Sequence, residues 1–206
     1  MKIDFYYDPS CPFCWITSRW LIQAQSERDI DITWRPFSLA MKNSVLGSKK
    51  GHHAASANAA HRVLRVIEAA AGNVGELYTA FGTQNHIFGE EFTDTVILDV
   101  LKKQGLSSDL LKAADDKNYD KAIENSMDIA LKIVGNDIGV PTIIFKMGKK
   151  KSGYFGPVFQ KLPSVTESVK LWDALATLAT SEDFYELKRS RPAGGPNTAS
   201  TAVCIP

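Results

Sequence analysis

Ile3, Phe5 and Tyr7 share one face of the opening run and Tyr6 takes the other, the pattern of a strand covered on both sides. Asp8-Pro9-Ser10 ends that run as a turn. Cys14, Ser18, Leu21 and Ile22, with Trp15 beside them, recur at helical spacing in a segment reaching Arg28. Ile30, Ile32 and Trp34 then alternate with polar residues as a second strand, near whose end Pro36 marks an edge or a bulge. Residues 40–60 are rich in Lys, Ser, Asn, Gly and Ala without periodicity and read as a mobile connection. From His61 to Val134 the apolar positions predict helices throughout: Val63, Leu64, Ile67 and Ala71; Leu77, Tyr78 and Phe81; Val96, Ile97, Val100 and Leu101; Ile123, Met127, Ala130, Leu131 and Val134. Gly72, Gly105 and Gly135 stand where helix C-termini are expected, and Thr93 where an N-cap is.

Strand character returns at Gly139-Val140-Pro141-Thr142, runs through Ile143 to Phe145, and continues in Tyr154, Phe155 and Val158 after a Lys-rich turn, residues 148–153. Ser164 and Glu167 have capping-box spacing before a final helix bearing Val169, Trp172, Ala176 and Ala179, which Phe184 to Lys188 extends. From Ser190, Pro, Gly, Ser, Thr and Asn dominate, so residues 190–206 are expected to be a disordered tail. The pattern is α/β. Residues 1–40 and 136–189 form one domain, interrupted by a helical domain over residues 41–135.

Candidate chemistry concentrates in Cys11-Pro12-Phe13-Cys14, at the junction of the first strand and first helix. Two cysteines so spaced at such a junction read as a redox pair. A helix N-terminus offers unpaired N–H groups and a positive dipole end, both favouring a thiolate. Cys11 at the cap is thus the exposed nucleophile, and Cys14, one turn in, the shielded resolving cysteine. Pro12 suits the first helical turn. Phe13 sits at the helix tip beside the site; Trp15 is a candidate substrate contact, with a core role as the plainer reading. A zinc half-site would need two further ligands, and Cys204, His52, His53, His61 and His86 repeat no ligand spacing, so no metal is expected. His86 reads as a helix-end residue, Lys149 to Lys151 as a solvated hairpin tip, and Cys204 as a passive thiol.

Composition narrows the partners. A chain of 206 residues, 44% hydrophobic and 23% charged, can bury a core without structural disulfides. A net charge of +1 gives no reason to expect nucleic acid, and no apolar run approaches membrane-spanning length. Asp4 and Asp8 interrupt the first apolar stretch, so no signal peptide is expected and the cytoplasm is the expected compartment, where a C-x-x-C is more often catalytic than structural.

The order strand, C-x-x-C helix, strand, helical insertion, proline-led hairpin and closing helix resembles a thioredoxin fold with an inserted α-helical domain, as in the DsbA family. Within it the chain is similar to the cytoplasmic mycothiol-dependent reductases, described as mycoredoxin-like or nitroreductase proteins. Asp8-Pro9, Cys11-Pro12, Cys14 to Trp20, Leu77 to Ala80, Gly139 with Pro141-Thr142, Phe155 to Val158, Lys170 to Ala174 and Glu186 to Arg189 carry the resemblance. It implies a cis Val140–Pro141 bond against Cys11, with Pro12, Phe13, Val140 and Pro141 contacting substrate. Val140 stands where these reductases often have threonine. The histidine between the cysteines of the periplasmic oxidant is replaced by Phe13, which cannot hold a thiolate by charge, so a reductant or exchanger is expected. The implied activity is a thiol-disulfide oxidoreductase with no bound cofactor, using mycothiol or another low-molecular-weight thiol as cosubstrate to reduce S-thiolated proteins or small electrophiles such as nitro compounds. The alternatives are a thiol-dependent isomerase or transferase of the same superfamily, whose members carry serine at the nucleophile position, and a non-enzymatic chaperone or binding module.

Overall fold

The computed structural model describes residues 1–48, 50–191 and 193–204. β1 (Lys2–Tyr7) is followed by α1 (Pro12–Gln25) and β2 (Asp31–Pro36). Then come α2 (Leu39–Lys42), α3 (His52–Ala70), α4 (Val74–His86), α5 (Asp94–Lys103), short 3₁₀ segments at Ser108–Asp115 and Lys117–Tyr119, and α6 (Asp120–Val134). β3 (Thr142–Met147), β4 (Lys150–Phe155) and α7 (Val165–Ala179) complete the regular core, and a 3₁₀ segment, Thr198–Cys204, closes the chain.

The four strands lie in the order β2-β1-β3-β4, with β1 parallel to β2 and antiparallel to β3, and β3 antiparallel to β4. β1 is therefore central, which its fully buried Ile3, Phe5, Tyr6 and Tyr7 require. Pro36, the last residue of β2, pairs with Tyr7 on an edge strand, where a missing N–H costs least. Strand alternation separates two layers. Ser152, paired with Phe145, donates to the Ala179 carbonyl of α7 at 2.8 Å, whereas Gly153, paired with Ile144, faces α6. A Cβ at Gly153 would come within 2.6 Å of Val134 Cγ2, so only glycine lets α6 lie this close to β4. On the α7 side, Trp20 of α1 and Phe145 of β3 meet Trp172 at 6.1 and 5.8 Å between ring centroids.

Four expectations about elements change. Residues 40–60 are not a loose connection: α3 begins at His52, and the Asn58 amide ties the preceding loop down by donating to the Val45, Ser48 and Ala54 carbonyls while accepting from Gly47 N–H. The hairpin turn is only Gly148-Lys149, since Met147 pairs with Lys150, so Lys150 to Gly153 belong to β4 and Val158 lies beyond it. Phe184 to Lys188 do not extend α7; the Tyr154 hydroxyl draws the chain away by bonding the Leu178 and Phe184 carbonyls. Of the tail expected to be disordered, residues 190–206, the segment Thr198–Cys204 is folded against α1 and α4 with Thr201 fully buried, and positions 192, 205 and 206 lie outside the described residues.

Candidate active site

β1 delivers Asp8, Pro9 and Ser10 to the start of α1, and Cys11 forms its N-cap with extended backbone (φ −83°, ψ 110°). The cap geometry aims the sulfur at the first turn: Cys14 N–H donates to Cys11 Sγ at 3.4 Å. Across the fold, Cys11 Sγ lies 3.6 Å from the Val140 carbonyl oxygen. The Val140–Pro141 bond is cis, and so is Gly156–Pro157, whose Gly156 N–H donates to the Pro141 carbonyl at 2.8 Å. Thr17 of α1 donates to the Pro157 carbonyl at 2.8 Å, so both proline turns are fixed beside the cysteine helix.

The two free thiols differ in acidity. The Cys14 thiol beside it holds Cys11 below the ordinary thiol range by hydrogen bonding; burial and the Asp8 charge oppose this, and the Cys14 and Phe13 N–H groups reinforce it. Burial pushes Cys14 well above that range, and its hydrogen bond to Cys11 adds to the rise. One sulfur can be an anion while its neighbour stays a thiol. Cys11 is nevertheless 7% exposed, not the open cap residue that sequence suggested, because Val140 and the Pro141 turn close over it.

Pro12 and Phe13 are half-buried at the mouth, and Val140 and Pro141 are buried against the sulfur. Trp15 is elsewhere. It has no exposed surface, packs at 6.1 Å from Tyr78, stacks on His86 at 5.6 Å, lies 4.4 Å under the Arg19 guanidinium and donates Nε1–H to Thr201 Oγ1 at 2.8 Å. Facing the helical layer, it cannot touch a substrate at Cys11.

Asp8 was not among the site residues expected from sequence, although Asp-Pro-Ser is a side-chain-to-backbone turn signal. It is fully buried and accepts from Ser10 N–H at 2.8 Å, Ser10 hydroxyl at 2.6 Å and Leu39 N–H at 2.7 Å. Burial raises its pKa against those hydrogen bonds. His86, the last residue of α4, pairs its Nε2 with the Pro9 carbonyl at 2.8 Å; burial lowers its pKa to about 4, so the neutral ring is the donor there. His61 is buried between Ser38 Oγ (2.9 Å) and Asp120 Oδ1 (3.0 Å), and Arg65 forks onto the same carboxylate. Among the described residues no group of three or more His, Cys, Asp or Glu is arranged to hold a metal, and no helix is long and apolar enough to cross a membrane.

A C-x-x-C pair at the tip of the first helix of this sheet, facing a cis-proline turn, defines a thioredoxin-fold thiol-disulfide oxidoreductase with an inserted α-helical domain. Solved structures share the fold. The cytosolic disulfide reductase DsbM from Pseudomonas aeruginosa matches at a TM-score of 0.61 and 14% identity over 87% of this chain and 100% of its own. A probable DsbA oxidoreductase from Streptomyces coelicolor matches at 0.58 and 17% over 94% and 97%, and a 2-hydroxychromene-2-carboxylate isomerase at 0.56 and 15% over 86% and 96%. An uncharacterized protein of Mycobacterium tuberculosis, Rv2286c, is 28% identical over 197 residues, 92% of this chain and 82% of its own. The chain belongs to the family described as Rv2466c-like, mycothiol-dependent nitroreductase Rv2466c, whose sequence pattern matches residues 10–189.

Proposed function

We propose that the protein is a cytoplasmic reductase in which a low-molecular-weight thiol, mycothiol by family membership, supplies electrons through Cys11 and Cys14 to S-thiolated proteins or to small electrophiles such as nitro compounds. The observation that carries the reading is the placing of Cys11 Sγ at the cap of α1, where Cys14 N–H donates to it at 3.4 Å and the Cys14 thiol lies beside it. Cys11 thiolate attacks one sulfur of a mixed disulfide, forming a Cys11–S–S–R bond and expelling the other sulfur as a thiolate. A second thiol molecule then attacks that adduct and frees Cys11. Alternatively, Cys14 gives up its proton and attacks Cys11 Sγ, expelling R–S⁻ and leaving an internal disulfide; two thiol molecules restore the dithiol and leave as their own disulfide. With a nitro compound the dithiol supplies two electrons and two protons, giving a nitroso product and water.

Pro12, Phe13, Val140 and Pro141 line the approach to Cys11 and contact the substrate. The Val140 carbonyl, 3.6 Å from Cys11 Sγ, is placed to pair with an extended thiol or peptide bound there. The cysteine at position 11 argues against the isomerase and transferase alternative, whose members carry serine there. The test uses a peptide mixed disulfide, with mycothiol and glutathione as separate donors. Cys11→Ser is expected to abolish turnover, and Cys14→Ser to retain it for small-thiol adducts while losing nitro-compound reduction. Turnover surviving in Cys11→Ser would overturn the reading.

A further inference from the structure

Resting on that reading of Cys11 as the reacting sulfur, we propose that Arg191 is a specificity-determining residue, favouring substrates that carry a carboxylate or similar anionic group close to the sulfur under attack. Its guanidinium carbon stands 4.7 Å above the centroid of Phe13, the residue between the two cysteines whose own N–H faces Cys11. Among the described residues no side-chain hydrogen bond occupies its N–H donors, and a guanidinium over an aromatic face can still take a carboxylate through two parallel hydrogen bonds. Among the described residues Arg191 enters no ion pair, whereas Arg28, Arg35, Arg62 and Arg65 each hold an aspartate.

The segment that follows Arg191 is anchored further on. Asn197 N–H donates to the Gln160 carbonyl at 2.7 Å and Leu162 N–H to Ser200 Oγ at 2.9 Å. Thr198 donates to the His86 carbonyl at 2.8 Å, and Thr201 accepts the Trp15 indole N–H. The chain from Asn197 to Thr201 is thus tied to α1, to α4 and to the loop before α7, and the guanidinium stands over Phe13 at the rim of the site. A positive charge so placed attracts an anionic reactant and leaves a neutral one of the same shape unaffected.

Iodoacetate and iodoacetamide are such a pair, nearly identical in size and differing by one negative charge. Their rates with Cys11 are measured in the full chain carrying Cys14→Ser and Cys204→Ser. The ratio of iodoacetate to iodoacetamide rate is expected to fall about threefold on Arg191→Met and to stay within about twofold on Arg191→Lys. The Arg191→Met difference should shrink in 1 M salt, where the screening length is about 3 Å. Arg191 is exposed, so neither substitution threatens the fold. A reactive Cys11 whose ratio is unchanged by Arg191→Met would overturn this inference alone, and a Cys11 inert to both reagents would overturn it together with the proposed function.

Discussion

The hydrogen bond from the Cys14 thiol leads the influences holding Cys11 below the ordinary thiol range, and the Cys14 and Phe13 N–H groups of the helix end add to it. Removing that donor should therefore matter more than the usual view of a capping thiolate implies. Titrating alkylation rate against pH is expected to give a higher Cys11 midpoint in Cys14→Ala than in wild type, with Cys14→Ser between them because a hydroxyl can still donate. His86 makes a second prediction from the same kind of reasoning. Its pKa is about 4 in the fold against 6.5 ordinarily, burial being the main cause. A depressed folded value means that stability is fully present above pH 6.5 and is lost as pH falls toward 4, because only the unfolded chain gains the proton. The drop should be about 3 kcal/mol at about 1.4 kcal/mol per pK unit. Urea midpoints of wild type and His86→Gln at pH 7 and pH 4 check it: the variant should lose most of that difference.

At the level of elements, α1 is held by what its aromatic residues meet. Gly82 of α4 lies against Trp15, and a Cβ there would fall 2.4 Å from Trp15 Cε3 and Cζ3, so Gly82→Ala should destabilise the fold by about 1–3 kcal/mol through overpacking. Thr201→Val leaves the buried Trp15 N–H without its acceptor and should cost about 1–3 kcal/mol. Denaturant melts of both variants measure this. The hydrogen bond from Trp15 to Thr201 exists only because Thr198–Cys204 fold back on α1. Residues 190–206 carry the composition of a flexible terminus, yet four hydrogen bonds from Asn197, Thr198, Ser200 and Thr201 reach groups on other elements. Small polar residues look the same in sequence whether water or a distant carbonyl satisfies them.

For the molecule as a whole, the junction of the helical insertion with the sheet runs through buried charge. His61 and Arg65 of α3 share the Asp120 carboxylate at the start of α6, while Ser38, bonded to His61, caps α2 beside the Leu39 N–H that Asp8 accepts. The Asp120 carboxyl is held below its usual range: burial raises it, but the Arg65 and His61 hydrogen bonds outweigh that. Asp120→Ala would strand a buried guanidinium and is expected to cost about 3–5 kcal/mol, more than either element-scale substitution. Urea unfolding followed by tryptophan fluorescence measures the loss.

The place of the C-x-x-C pair at a strand-to-helix junction and the order of strands and helices were legible in the sequence because each depends on spacing within a few residues. Periodicity of 2 or 3.6 reports which face a residue presents, and Cys11-Pro12-Phe13-Cys14 carries its chemistry locally. What covers a face is another matter. That Trp15 turns toward Tyr78 and His86 instead of toward substrate, that Cys11 is nearly closed off by Val140, and that Arg191 stands over Phe13 were all decided by contacts between residues 60 to 190 positions apart. Such contacts leave no period in the chain, since burial and hydrogen-bond partners across the fold come into being only when the elements pack.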